Sequence, residues 1–113
     1  MALTSRTAVC LLWGLALLPL ATIAQLNSVT PRQTNLLANN CLQCHARPNI
    51  DVPLMGKAED WKDRVKKGED ELLKNVVQGL RGMPPLGYCS ACTEEDLRVL
   101  TRMVAGLPEK AAK

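Results

Sequence analysis

Apolar residues recur at helical spacing in four stretches of the chain, and capping residues mark where these stretches begin or end. The first stretch begins at Thr30, which is typical of an N-cap, with Pro31 at the first helical position and Gln33 placed to complete a capping box. The apolar face of this first helix carries Leu37, Cys41 and Cys44. The pattern therefore predicts a helix that presents two thiols from its apolar side.

Three further helices are predicted. The first two cover residues 58–67 and residues 69–78, and the last begins at the capping run 93–96 and continues to residue 105. A glycine follows each of them. Their apolar stripes are, in chain order, Trp61 and Val65; Leu72, Leu73, Val76 and Val77; and Leu97, Leu100 and Val104. The pattern predicts an all-α single domain of about four to five short helices, with the last helix packed on the first.

The residues before this pattern are typical of a secretory signal. They combine a short start that contains Arg6, an apolar run over residues 8–21, and a cleavage site that ends at Ala24. The apolar run is short for a membrane span, although an uncleaved anchor stays an alternative. We therefore predict a cleaved signal peptide over residues 1–24 and one exported domain over residues 25–113, located in the periplasm.

The exported domain, whose core is predicted over about residues 31–107, is poor in large apolar side chains and nearly neutral. It has no Phe, one Tyr and, of the two Trp residues, only Trp61. A chain of this size buries a modest core, so a bound cofactor would supply apolar bulk. Loss of Arg6 with the signal leaves 13 basic and 11 acidic residues, a net charge of +2, which gives nucleic-acid binding no support.

The run Cys41-Leu42-Gln43-Cys44-His45 carries the most specific chemistry of the chain. On a helical turn, the two thiols and the imidazole project from one side and can meet one flat ligand. Thiols at this separation can add across the two vinyl groups of a porphyrin while the imidazole reaches the iron, which is the pattern of c-type haem attachment. A thioredoxin-like redox pair and half of a zinc site are the alternatives. A redox pair needs no histidine after it and sits in a βαβ pattern that this chain lacks.

An irregular loop over residues 46–56, which contains two prolines and a glycine, follows His45. A backbone carbonyl in this loop could accept a hydrogen bond from the second ring nitrogen of His45. Such a hydrogen bond fixes the tautomer and the orientation of a metal-binding imidazole. We predict that the carbonyl of Pro53 does this. A plain turn is the alternative.

A glycine-rich loop over residues 79–87 holds Met83 immediately before Pro84. The proline biases the methionine towards an extended conformation, and a thioether held in a loop suits an axial ligand of iron. Met55 and Met103 compete for this role. The first lies only ten residues beyond the histidine, and the second lies on a regular helix where core packing is the better interpretation.

A second CxxC pair, Cys89 and Cys92, is followed by Thr93 rather than histidine, so we predict no second attached haem. In an oxidising compartment a disulfide is the simplest interpretation of this pair. It would brace the methionine loop against the last helix. A catalytic dithiol is the alternative, but no redox-enzyme scaffold surrounds it.

The order of these motifs resembles a class I c-type cytochrome, and their spacing is similar to the bacterial cytochrome c5 group. The matching residues are Cys41, Cys44 and His45, then Pro53, Trp61, Gly68 and Gly79, then Met83, Pro84 and Pro85, and then Cys89 and Cys92. The resemblance covers about residues 34–105. Where the group often has a lysine after the two prolines, this chain has Leu86, which favours an apolar contact with a partner.

The resemblance implies one covalently bound haem c inside the all-helical fold. It implies that Cys41 and Cys44 are the thioether anchors, that His45 and Met83 are the axial ligands, and that the second cysteine pair forms a disulfide. The haem-pocket candidates are Pro53, Trp61 and Pro84. It also implies a soluble or membrane-associated electron carrier in the periplasm of a Gram-negative bacterium.

We therefore expect a one-electron carrier rather than an enzyme, with redox proteins as donor and acceptor and with neither a nucleic acid nor a small-molecule substrate as partner. Iron with two protein ligands has no open position for a substrate. One alternative is a haem enzyme or gas sensor in which the Met83 ligand is labile. A minor alternative is a zinc module with four cysteine ligands.

Overall fold

The structure is a computed structural model that describes residues 29–108 of the chain. Helix α1 (Pro31–Leu36), a π-helical segment (Leu37–Cys41) and α2 (Leu42–His45) follow one another without a break and form one N-terminal helix. The other elements are α3 (Ala58–Val65), α4 (Glu69–Gln78), a 3-10 segment (Pro85–Tyr88) and α5 (Glu94–Ala105). Within residues 29–108 there is no β-strand, so the predicted all-α fold is confirmed.

The predicted signal peptide, residues 1–24, lies outside the described residues. None of the helices between residues 29 and 108 is long and apolar enough to cross a membrane.

Capping boxes begin the first and the last helix, as the sequence predicts. The side chain of Thr30 accepts a hydrogen bond from the Gln33 amide at 3.1 Å, and the Gln33 side chain accepts one from the Thr30 amide at 3.0 Å. Thr93 and Asp96 make the same reciprocal pair at the start of α5. Each box satisfies two amides that have no partner within the helix.

Two features of the helices differ from the prediction. Helix α3 ends at Val65, two residues early, because the amides of Lys67 and Gly68 bond to carbonyls three residues back and tighten the last turn. The π-helical segment was not predicted either. Inside this segment the side chain of Asn40 donates to the carbonyl of Leu36 at 2.8 Å, a local hydrogen bond that competes with the regular helical pattern.

The core consists of two apolar clusters that share the faces of α4 and α5. The first cluster joins the N-terminal helix to α3, α4 and α5 through Leu37, Trp61, Leu72, Leu100, Val104 and Ala105. The second cluster joins α4 to α5 and the second cysteine pair through Leu73, Cys89 and Leu97. The last helix therefore packs on the first, as predicted.

Val77 does not belong to the buried stripe that the sequence predicts for α4. Its side chain is 42% exposed, whereas Leu72 and Leu73 are buried. The reason is its place in the last turn, where it lines an open groove of about 480 Å³ between α4, α5 and Leu86. The apolar spacing shows on which face of a helix a residue lies. It does not show how far along the helix the neighbouring elements cover that face.

A polar clamp joins the N-terminal helix to α5 beside the apolar contact. Asp96 is 4% exposed, and its carboxylate accepts hydrogen bonds from Arg32 at 2.5 Å and from the amide and hydroxyl of Thr93, both at 2.9 Å. Arg32 also donates to the carbonyl of Ala91 at 2.8 Å. A buried carboxylate with this many donors stays charged, because each donor stabilises the ionised form.

We expect Asp96→Asn to lower the free energy of unfolding at neutral pH and to lose this effect in acid. The hydrogen bond from Arg32, followed by those from Thr93, holds the pKa of Asp96 well below its ordinary value of 3.8. Because the folded pKa is the lower one, the stabilisation is present above about pH 4 and is lost as the pH falls towards the folded pKa. Denaturant titrations of wild type and variant over about pH 2 to 7 measure the difference.

The matched control is Asp70→Asn, which removes a carboxylate that is 92% exposed and bonded to Arg98 at 2.9 Å. Exposed pairs of this kind contribute little, so we expect a clearly smaller loss of stability at neutral pH. A gap between wild type and Asp96→Asn that stayed constant into acid would show that Asp96 does not act through its charge.

Candidate cofactor site

The CxxCH run lies at the end of the N-terminal helix, where the π-helical segment passes into α2. Cys41 is half-buried against the first apolar cluster, Cys44 is exposed, and both are free thiols. Burial raises the pKa of the Cys41 thiol, so this group is a neutral S–H at neutral pH. The two sulfurs are therefore available for covalent attachment of a ligand that lies along this side of the helix.

His45 is the last residue of α2 and is only 8% exposed. Its Nδ1 lies 2.7 Å from the carbonyl oxygen of Pro53, so the sequence-predicted contact is present, and Nδ1 carries the proton because a carbonyl can only accept. The amide of Met55 donates to the carbonyl of His45 at 2.8 Å and closes the loop. Among the described residues Nε2 has no hydrogen-bond partner, which leaves it as the nitrogen that can bind a metal.

Trp61, the aromatic one of the three pocket candidates, packs against this imidazole. The ring centroids of His45 and Trp61 are 5.7 Å apart with a tilt of 36°, and Trp61 is 9% exposed. Its indole N–H donates to the carbonyl of Leu54 at 2.8 Å. The structure therefore brings His45, Pro53 and Trp61 together, with the ring held by packing on one side and by a hydrogen bond on the other.

The methionine loop folds back on itself. Leu80 and Met83 exchange two backbone hydrogen bonds, of 3.1 and 3.0 Å, and Pro84, which is half-buried, continues in an extended conformation. Met83 is half-buried. A side chain on Gly87 would lie 3.7 Å from the Met83 methyl carbon, so the thioether passes over this glycine. The 3-10 segment that follows contacts the π-helical segment, which places the loop beside the helix that bears Cys41.

The second cysteine pair forms a disulfide in the structure, with 5.4 Å between the Cα atoms of Cys89 and Cys92. Cys89 is 1% exposed and packs with Leu73 and Leu97, so the pair lies between the methionine loop and α5. Two of the four cysteines within residues 29–108 are thus not thiolates. Among residues 29–108, moreover, no group of three or more His, Cys, Asp or Glu side chains is arranged to hold a metal ion, and the four-cysteine zinc module has no support.

Sequence reasoning missed the role of Asp60. Its carboxylate accepts a hydrogen bond from the Leu54 amide at 3.1 Å and pairs with Lys57 at 3.1 Å. The Leu54 hydrogen bond, followed by Lys57, lowers the pKa of this carboxyl group. An acidic residue in the first turn of a helix is ordinarily explained by the helix dipole alone, so the sequence contains no signal that the loop returns to it.

A small helical domain with a CxxCH run on its first helix and a methionine in a later loop defines a class of covalent haem carriers. The family model described as cytochrome c oxidase, cbb3-type, subunit III matches residues 30–102. Two curated relatives are named cytochrome c5. The protein from Ectopseudomonas mendocina is 31% identical and that from Azotobacter vinelandii 33% identical, each over 75 residues, which is 65% of this chain and 86% and 90% of theirs.

A solved structure agrees with these relatives. A chain in the crystal structure of an electron transfer complex of nitrite reductase with cytochrome c superposes with a TM-score of 0.62 at 29% identity, covering 71% of this chain and 98% of that one. The chain therefore belongs to the matched family and is a class I c-type cytochrome that resembles cytochrome c5. Its cofactor is accordingly a covalently bound haem c, and the electron-carrier class is that of its relatives.

We expect Gly79→Ala to destabilise the chain more than a glycine substitution elsewhere with the same backbone. Gly79 has φ 80° and ψ 154°, and a Cβ atom there would lie 2.8 Å from the carbonyl oxygen of Met83 and 3.0 Å from the Pro85 nitrogen. The backbone strain costs on the order of 1–3 kcal/mol. The clash adds about 1–3 kcal/mol, because neither contact atom belongs to a flexible side chain. Denaturant unfolding measures the total.

Gly68→Ala is the matched control. Gly68 has φ 86° and ψ 160°, nearly the same conformation, but nothing lies within 4 Å of the Cβ position. Its substitution therefore reports the strain alone. Equal losses for the two variants would mean that the methionine loop moves aside without cost.

Proposed function

We propose that the chain is exported to the periplasm, binds one haem c through Cys41 and Cys44 with His45 and Met83 as axial ligands, and carries single electrons between redox proteins. The observation that carries this proposal is the state of His45. A buried imidazole with Nδ1 bonded to the Pro53 carbonyl and Nε2 left without a protein partner is prepared for a metal. The two free thiols lie within four residues of it.

The donor set fits a covalent haem. Each thiol can add across one vinyl group, with the sulfur bonding to one carbon and the proton going to the other, so that the attachment consumes no oxidant. Cys41 and Cys44 are both free thiols, so both are available for this addition. Val77 and Leu80, which are 42% and 51% exposed, lie on either side of the start of the methionine loop and offer apolar surface for a cofactor to cover.

When bound, the haem supplies an iron that gains or loses one electron. The protein's part is to keep its surroundings unchanged between the two states. His45 is fixed by the Pro53 hydrogen bond and by Trp61, and Met83 is held by a loop whose backbone is tied to itself. Two protein ligands leave no position for a substrate, which favours electron transfer over an enzymatic or sensing role.

We further propose that the partners are respiratory redox proteins. The matched solved chain belongs to a complex with nitrite reductase, and the matched family is named for a subunit of cytochrome c oxidase. The first name describes electron transfer between a reductase and a cytochrome c, and the second describes a subunit of an oxidase. They support an oxidase or a nitrogen-oxide reductase as the class of acceptor for this chain.

The exposed residues that follow Met83 are apolar or aromatic rather than basic, and the basic residue of the loop, Arg81, is exposed on the other side of Met83 in the chain. Tyr88 is 82% exposed and Pro85 is exposed, whereas Leu86 is half-buried against the second apolar cluster. The sequence predicts that Leu86 favours an apolar contact with a partner. The exposed part of that contact consists of Pro85 and Tyr88, so we propose docking that depends weakly on salt.

We expect wild-type protein to give a c-type absorption spectrum that carbon monoxide does not change, because both axial positions are filled. Met83→Leu should open the iron and make the reduced spectrum respond to carbon monoxide. Leucine keeps the volume of the side chain and removes only the sulfur, so a loss of folding is not the expected cause. Absorption spectroscopy of the reduced protein with and without the gas is the measurement.

Met55→Leu and Met103→Leu are the matched controls, since both methionines are half-buried against the first apolar cluster. Neither should change the response to carbon monoxide. A wild-type spectrum that shifted with the gas would favour the haem enzyme or gas sensor, and a shift confined to one control variant would reassign the axial ligand.

We also expect the protein recovered from the periplasm of a host that matures c-type cytochromes to have the mass of residues 25–113 plus one haem, even after denaturation. Cys41→Ala combined with Cys44→Ala should release the haem on denaturation, because no thioether remains. Cys89→Ser combined with Cys92→Ser should retain it. Mass spectrometry tests signal cleavage and attachment together, and a denatured chain without haem would contradict the assignment of the two anchors.

A further inference from the structure

One peptide group connects the histidine to a carboxylate on α3. The carbonyl of Pro53 and the amide of Leu54 are the two ends of the same peptide bond. The carbonyl oxygen lies 2.7 Å from His45 Nδ1, and the amide nitrogen lies 3.1 Å from the Asp60 carboxylate. The three groups therefore form one continuous chain of hydrogen bonds from carboxylate to peptide to imidazole.

We propose that Asp60 is a positioning residue for the iron ligand His45, which it polarises through the Pro53–Leu54 peptide group, and that it thereby lowers the reduction potential of the haem. The inference rests on the proposed function, because it requires His45 Nε2 to bind the iron. It assigns to this chain a carboxylate–histidine–metal relay in which a peptide bond is inserted between the first two members.

The physical basis is the cooperativity of hydrogen bonds. A carboxylate that accepts from a peptide N–H draws the proton towards itself and increases the negative charge on the carbonyl oxygen of the same peptide group. A more negative oxygen accepts more strongly from the imidazole N–H. The imidazole then donates more electron density at Nε2, which stabilises the more highly charged ferric iron over the ferrous iron.

The structure holds this relay from several sides. Asp60 lies in the first turn of α3, its side chain is 21% exposed, and Lys57 anchors its other oxygen at 3.1 Å. Trp61 bonds to the carbonyl of Leu54, so the Leu54 residue is fixed at both its amide and its carbonyl. The hydrogen bond with Leu54 and the pairing with Lys57 lower the pKa of Asp60, so the group is charged at neutral pH.

The test is the midpoint potential of the purified holoprotein with Asp60→Asn. Asparagine keeps the shape and an acceptor oxygen but removes the charge. We expect the ratio of ferric to ferrous stability to fall by about threefold to tenfold, which is an upward shift of about 30 to 60 mV at about 59 mV per tenfold. A purely structural clamp would be maintained by the asparagine oxygen and would leave the potential unchanged.

Asp63→Asn is the matched control. Asp63 lies on the same helix, its side chain is 71% exposed, and it pairs with Lys66 at 2.7 Å without contact to the loop. Removing its charge acts on the iron only through solvent, so we expect less than a twofold change in the same ratio and a decrease of that change with added salt. The shift for Asp60→Asn should persist in salt. Equal shifts for the two variants, both lost in salt, would overturn the relay.

A second measurement needs no variant. In the reduced, diamagnetic protein, nuclear magnetic resonance should detect a coupling across the hydrogen bond between the Leu54 amide and the Asp60 carboxylate carbon, and the His45 Nδ1 proton should exchange slowly. Absence of that coupling would also overturn the inference. If His45 proved not to bind iron, the proposed function would fail; if the haem spectrum were normal and the potential of Asp60→Asn unchanged, only the relay would fail.

Discussion

The hydrogen bond between His45 Nδ1 and the carbonyl of Pro53 is the contact on which the cofactor site depends. It fixes the tautomer of the only histidine in the chain, so that the free ring nitrogen is the one that faces away from the loop. The same bond joins the end of the N-terminal helix to the segment before α3. Trp61, which belongs to α3, packs on the imidazole ring. A displacement of α3 would therefore change the position of the His45 ring directly, even if the rest of the core did not move.

The remainder of the fold supplies rigidity to this short connection. The chain has few large apolar residues, and its two buried clusters are small. The first and last helices are held together by Leu37 against Leu100 and Val104, and by the clamp of Arg32 on Asp96. Because the clamp also reaches the carbonyl of Ala91, the N-terminal helix positions the disulfide loop as well. Each of these contacts joins parts of the chain about 60 residues apart.

The sequence predicts what depends on local rules. The capping boxes at Thr30 and Thr93 and the helix faces follow from spacing and from the chemistry of single residues. The contact of His45 with Pro53 is predicted by the need of a metal-binding imidazole for a hydrogen-bond acceptor and not by spacing. The sequence does not predict features that depend on contacts between separate parts of the folded chain. The exposure of Val77 depends on where α5 and the 3-10 segment end, and the bond from Leu54 to Asp60 depends on a loop that no periodic pattern describes. Nor does the apolar spacing predict the π-helical segment, in which the side chain of Asn40 bonds to the carbonyl of Leu36.

The two sides of the site are built differently, and the difference has a physical consequence. The histidine side consists of a helix end and a loop tied by direct hydrogen bonds. The loop after His45 also has two non-glycine residues with positive φ, Asn49 and Asp51, but both residue types tolerate that conformation. On the methionine side, five residues between positions 79 and 88 have positive φ, and three of these are neither glycine nor Asn or Asp: Arg81, Leu86 and Tyr88. Such residues cost on the order of 1 kcal/mol each, so the loop keeps its shape only because other contacts hold it. Those contacts are the paired backbone of Leu80 and Met83 and the buried disulfide behind them. The strained methionine side has the lower free energy of local opening. Partial unfolding of the molecule should therefore displace the Met83 thioether before it displaces the His45 imidazole.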